Sequence, residues 1–77
     1  MKEPYVAVNG LAQAETGKAF CIKNPETSMD GVNHTFTGDL WIPKSVIIED
    51  SHDVIEEAQR NESVEIFVAK WWMEENA

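Results

Sequence analysis

A small α+β domain, mainly β, is what this sequence predicts: about five short antiparallel strands in a small barrel-like sheet, with one or two short helices. Three observations carry that expectation. Short runs have a period of two: apolar and polar residues alternate over most of 63–68, and over 18–23 the larger Phe20 and Ile22 alternate with the smaller Ala19 and Cys21, which is the period of a strand. Gly, Asn and Pro punctuate those runs at short intervals. The chain has 77 residues, which is room for a single domain over residues 1–77 and no second core.

The elements follow in order. Tyr5, Val6, Ala7 and Val8 form a short apolar run, and Asn9-Gly10 after it reads as a hairpin turn, because both residues tolerate positive φ. Residues 11–15 are then the returning strand, and Thr16-Gly17 a weaker break. Residues 18–23 alternate, with Phe20 and Ile22 on one face and Ala19 and Cys21 on the other. Residues 24–33 carry Pro25 and Gly31 without an apolar period and read as loop. The clearest strand is 34–42, with Phe36, Leu40 and Ile42 on one face and Gly38 between them. Pro43 cannot donate to a ladder. Residues 41–48 therefore read as one extended segment bent at Pro43, which is how a strand turns a barrel corner.

Residues 51–61 read as a short helix, since Val54, Ile55 and Ala58 have helical spacing and Ser51 or Asp53 would serve as N-cap. A hairpin with a long acidic loop is the alternative. Residues 63–68 are the last strand, with Val64, Ile66 and Val68 inward, and residues 69–76 a closing helical turn or two. A core this small needs its aromatics, so Trp41, Trp71 or Trp72, Phe20, Phe36 and Phe67 are expected to supply much of the burial. A homodimer would add more.

The charge is uneven. Residues 1–48 hold four basic and five acidic side chains, net −1, whereas residues 49–77 hold two basic and nine acidic ones, net −7. The total of −8 argues against a phosphate-backbone binder, which runs on Lys and Arg. No apolar run approaches the ~18 residues of a membrane span. Residues 1–11 lack the pattern of a signal peptide. A single cysteine, Cys21, forms no internal disulfide, which fits a reducing cytoplasm.

Little in the chain points to catalysis. His34 and His52 show no zinc spacing with Cys21 or the acids, so no metal or other cofactor is expected. Asp50, Asp53, Glu56 and Glu57 are dense but lack a calcium-loop pattern. Asp50, Ser51, His52 and Asp53 resemble a triad fragment, yet neighbours on one short segment cannot converge as triad members must. Cys21, flanked by Phe20 and Ile22, reads as a buried apolar residue. The expectation is a protein that is not an enzyme. Trp71-Trp72 stands out: adjacent residues on a helical turn point ~100° apart, so either one ring is core and the other is a candidate partner anchor, or both lie across the barrel mouth as a lid.

Three segments together resemble a pattern in small, uncharacterised proteins of bacteriophages and mobile elements. Glu15-Thr16-Gly17-Lys18-Ala19-Phe20 looks like an E-T-x-K-A-hydrophobic strand. Trp41-Ile42-Pro43-Lys44-Ser45 resembles a W-h-P-K-S segment and is the most specific match. Val68-Ala69-Lys70-Trp71-Trp72-Met73-Glu74 is similar to a closing I-P-x-W-h-x-E, with Ala69 where proline usually stands. The resemblance implies the fold, a core position for Trp41 and a phage origin. It carries no activity and no catalytic residue.

These readings lead to an expected function. The chain is a small acidic phage-encoded protein, cytoplasmic in a bacterial host, that binds and inhibits a host nucleic-acid-handling protein. An anti-CRISPR or other anti-defence role is one version, in which the acidic face mimics nucleic acid. Asp50, Asp53, Glu56, Glu57 and Glu62 would contact a basic groove on the host protein, with Trp71 or Trp72 as apolar anchor. The alternatives are a structural or assembly accessory, or a small-barrel module binding single-stranded nucleic acid through a weak basic face at Lys2, Lys18, Lys23 and Lys44.

Overall fold

In the computed structural model, residues 4–76 are described. They form β1 (Tyr5–Glu15), β2 (Ala19–Met29), β3 (Val32–Thr35), β4 (Asp39–Pro43), a 3-10 turn (Lys44–Val46), α1 (Glu49–Glu57), β5 (Ser63–Ala69) and α2 (Lys70–Asn76). The fold is mixed α+β with five antiparallel strands in one sheet. The strand path is β3-β2-β1-β5, and β4 pairs with β2 beyond the end of β3. The sheet does not close into the expected barrel. The segment after β4 meets β5 at an isolated bridge between Ile47 and Val68, not along a strand ladder.

The largest departure from the sequence reading is at Asn9-Gly10. The chain does not turn there: β1 runs straight through to Glu15, pairing Asn9 with Glu65 and Gly10 with Val64 of β5. Gly10 is required for closeness rather than for a turn. A Cβ on it would lie 2.4 Å from Ile22 Cγ2 and 3.1 Å from the Lys23 carbonyl oxygen. That close approach coincides with a bulge. Between the pairs Asn9–Glu26 and Leu11–Lys23, β1 has one residue and β2 has two, Asn24 and Pro25. Asn24 takes φ of 48°, and a bulge is the place where a strand tolerates proline. A second irregularity lies at Gln13, between the pairs Ala12–Ile22 and Ala14–Cys21.

Residues 24–33 are therefore mostly strand, not loop. Past the bulge β2 alternates, with Pro25, Thr27 and Met29 buried and Glu26 and Ser28 exposed. Thr27 is 4% exposed, and its hydroxyl donates to the Ala7 carbonyl at 2.7 Å. Asp30 and Gly31 both have positive φ, the geometry of a two-residue I′ hairpin turn. The strand expected over 34–42 is split in two. Gly38, with φ of 89°, separates β3 from β4, and its N–H donates to Asn24 Oδ1 at 2.8 Å. The outer partner of β2 thus changes at its bulge.

The segment after Pro43 is not a bent strand. It makes one 3-10 turn, reaches Ile47, and enters α1 at Glu49, two residues earlier than expected and without a side-chain N-cap. Ser51 is not the cap. It is 3% exposed, and its Oγ accepts the Phe67 N–H at 3.0 Å, tying α1 to β5. The core gathers Val8, Phe20, Ile22, Ile42, Ile66, Val68 and Met73. Val64, Ile66 and Val68 face inward as the alternation predicts. Of the aromatics only Phe20 is fully buried, with Phe36 and Trp72 packed partly against the core. Trp41 and Trp71 are each 47% exposed and Phe67 43%. Trp41 is not a core residue because it pairs with Cys21 on the face of the sheet away from the helices.

Candidate acidic interface

The helix that carries most of the acidic candidates is amphipathic by arrangement. Ser51 and Ile55 are its buried residues and Ala58, just beyond it, is half-buried. At ~100° per residue, Glu49, Asp50, Asp53, Glu56 and Glu57 all fall within an arc of about 120°. That arc is centred opposite the buried stripe, and all five carboxylates are exposed. The structure thus brings Asp50, Asp53, Glu56 and Glu57 onto one side. It adds Glu49, which a helix starting at residue 51 left out. Glu49 and Asp50 sit in the first turn, where the helix dipole favours negative charge.

Glu62 stands apart from this stripe. It belongs to the turn between α1 and β5, where its carboxylate accepts the Gln59 N–H at 3.2 Å and its own N–H bonds the Gln59 carbonyl at 2.9 Å. Arg60 lies in the same turn and lines a shallow groove with Glu15, Ile55 and Glu56. The two tryptophans divide as adjacent helical residues must: Trp72 packs against the core and Trp71 is exposed. Their helix continues from Ala69 of β5, whereas α1 is tied to Phe67 of the same strand.

The chemistry-bearing residues elsewhere are engaged structurally. His52 Nε2 lies 3.0 Å from the Lys44 carbonyl and 3.1 Å from the Ile47 carbonyl. Both are acceptors, so Nε2 carries the proton. The His52 ring also meets Phe20 edge-on, with centroids 5.7 Å apart. Ser51 faces β5 while Asp50 and Asp53 face solvent, so the four neighbours at 50–53 diverge. Cys21 is 2% exposed. Burial pushes its thiol pKa up, and the Asp39 charge pushes the same way. Among the described residues no group of three or more His, Cys, Asp or Glu is arranged to hold a metal ion. No described helix is long and apolar enough to cross a membrane.

Among the basic residues, Lys18 and Lys44 are joined by a backbone hydrogen bond at 2.8 Å. Lys44 Nζ is 2.6 Å from Glu15 and 4.7 Å from the centroid of the Phe20 ring. Lys70 pairs with Asp30 at 2.8 Å, and that partner holds its pKa above the usual lysine value. Lys23 is paired across strands with Asp39, Lys18 is exposed in the β1–β2 turn, and Lys2 lies outside the described residues. The earlier start of α1 was legible only weakly, since Glu49-Asp50 resembles a helix start but Ile48 before it does not cap. No protein-family model, curated protein or solved structure matches the chain.

Proposed function

We propose that this chain is a small acidic inhibitor that docks the solvent side of α1 into a basic, nucleic-acid-binding groove of another protein. The observation that carries the reading is the stripe of Glu49, Asp50, Asp53, Glu56 and Glu57 on one side of one helix. Four residues along a helix advance about 6 Å, so Glu49, Asp53 and Glu57 make a regular row of negative charge. Such a row competes for the Lys and Arg side chains that would otherwise neutralise phosphates. The helix is held from behind by Ser51 and Ile55, so the carboxylates are presented without a large ordering cost. The resemblance to phage and mobile-element proteins suggests the target class: a bacterial nuclease, polymerase or CRISPR complex.

The experiment is a tagged pull-down from bacterial lysate, washed at low and at high salt, with mass spectrometry of the retained proteins. Electrostatic docking weakens as salt screens it. The expected result is a nucleic-acid-handling protein retained at low salt, released at high salt, and absent when Asp53→Lys, Glu56→Lys and Glu57→Lys are combined. Retention that is equal for the wild type and the charge-reversed variant would overturn the reading.

A further inference from the structure

Among the described residues, one rim of the sheet carries no further strand. The β5 edge is partly occupied: Ile47 bridges Val68, and the Ile48 N–H donates to the Phe67 carbonyl at 2.9 Å. At the other rim β4 pairs only with β2 among the described strands. Two backbone bonds fix which residues of β4 face that rim. The Lys44 N–H donates to Lys18 at 2.8 Å, and the Asn24 N–H donates to Gly38 at 2.9 Å. The register pairs Ile42 with Phe20 and Leu40 with Ile22 between them. In an antiparallel ladder the bonded pairs alternate, so Gly38, Leu40, Ile42 and Lys44 bond toward β2. Asp39, Trp41 and Pro43 then direct their backbone groups outward. Proline at an outward position is where an edge strand tolerates it.

We propose that two copies of this chain join edge to edge through β4, antiparallel about Trp41. In that register Trp41 pairs with Trp41 of the second copy, and Asp39 pairs with its Pro43. The two outward N–H groups of each strand, at Asp39 and Trp41, all find carbonyls, and the missing N–H of Pro43 ends the ladder at each side. The 47% exposed Trp41 rings meet on one face as a directly opposed aromatic pair. On the other face half-buried Leu40 lies opposite Ile42 of the second copy, which its own core already buries fully, so the gain on that face is confined to Leu40. Charge favours this rim over others. It belongs to residues 1–48, net −1, whereas the residues with net −7 include α1, packed on the β5 side. One five-residue ladder buries less than the area of a standard stable interface, so the association is weak and concentration-dependent.

Sedimentation over rising concentration tests it, with the expected mass moving from 8.7 kDa toward twice that value. Added salt strengthens this association, because each copy carries −8 and screening relieves their repulsion. Acidic docking to a basic groove has the opposite salt dependence, so failure of one is separable from failure of the other. Trp41→Glu weakens the dimer by about tenfold or more while leaving far-UV dichroism unchanged. Register is read by oxidative cross-linking in a Cys21→Ala background. Trp41→Cys places the two thiols on residues about 5.5 Å apart at Cα, within disulfide reach, and cross-links. Asp39→Cys places them about 14 Å apart at Cα and does not. A monomer at every concentration and salt would overturn the proposal, and so would cross-linking through Asp39→Cys as readily as through Trp41→Cys.

Discussion

Replacing Gly10 with alanine tests the claim that this glycine is a close-approach residue in a continuous strand. The new Cβ would lie 2.4 Å from Ile22 Cγ2, 3.1 Å from the Lys23 carbonyl oxygen and 3.2 Å from Pro25 Cα. Ordinary carbon contacts sit near 3.5–4.0 Å. Ile22 is fully buried in an interior that does not yield freely, so the cost is that of overpacking, about 1–3 kcal/mol. Gly10 is not among the residues with positive φ, so alanine also gains about 0.4–1 kcal/mol by restricting the unfolded chain. The net loss is then between about 0 and 2.6 kcal/mol, with roughly 4–8 °C of melting temperature for each kcal/mol in a domain this small. Urea and thermal melts of Gly10→Ala, Ile22→Ala and the double variant form a cycle. In the Ile22→Ala background part of the clash is gone, so Gly10→Ala costs less there. The two backbone contacts remain and keep the cost above zero. If Gly10→Ala stabilises the protein, or costs the same in both backgrounds, the packing argument fails. An Asn-Gly hairpin turn with positive φ would not couple to Ile22 at all.

Other consequences follow from single contacts. Ser51→Ala leaves the Phe67 N–H without its acceptor at the α1–β5 junction, and urea unfolding should show a loss of about 1–3 kcal/mol with the m-value unchanged. His52→Phe keeps a ring against Phe20 but removes the Nε2 proton shared by Lys44 and Ile47, and should cost about 0.5–1.5 kcal/mol in the same assay. The buried Cys21 thiol should react with a disulfide reagent far more slowly in the native protein than in urea. Labelling at the rate of a free thiol would show that the sheet face over it is open. Because burial first and Asp39 second raise its pKa, folding favours the protonated thiol. That contribution is complete below the unfolded thiol value of about 8.5 and is lost as pH rises through the higher folded value. The urea midpoint of the wild type should therefore fall relative to Cys21→Ala only in the alkaline range, and an equal difference at pH 6 and pH 10 would refute it.

The readable parts of this chain were those where one residue type has one structural meaning. Val64, Ile66 and Val68 alternate with exposed residues and form a strand with all three inward. Trp71 and Trp72 are neighbours on a helical turn, so one had to leave the core, and Trp71 did. The failures share a cause. Asn9-Gly10 reads as a chain reversal, Asn24-Pro25 as loop and Gly38 as the interior of a strand, because glycine, asparagine and proline serve turns, bulges and strand breaks alike. Here the true reversals are at Thr16–Lys18 and Asp30-Gly31, while Gly10 and Pro25 face each other across a bulge. Asp30-Gly31 was a hairpin signal in plain sight, hidden because Glu26, Thr27 and Ser28 gave the strand before it no apolar period. Size and the resemblance both point Trp41 to the core, yet its place next to the buried Ile42 puts it on the opposite face. The acidic residues were legible as a segment. Their common side was not, because it depends on this segment being helix rather than an acidic hairpin loop, and on α1 starting early enough to include Glu49 and Asp50, a start that Ile48 does not signal with a cap.

The central claim is that the row of carboxylates on α1 occupies a site made for phosphates. The most direct measurement takes a nucleic-acid-binding protein retained in the low-salt pull-down and follows its binding to labelled duplex DNA as this chain is added. The account predicts that the wild type displaces the DNA, that the displacement fades as salt rises, and that the Asp53→Lys, Glu56→Lys, Glu57→Lys variant displaces none. Simultaneous binding of the chain and the DNA to the target would contradict it.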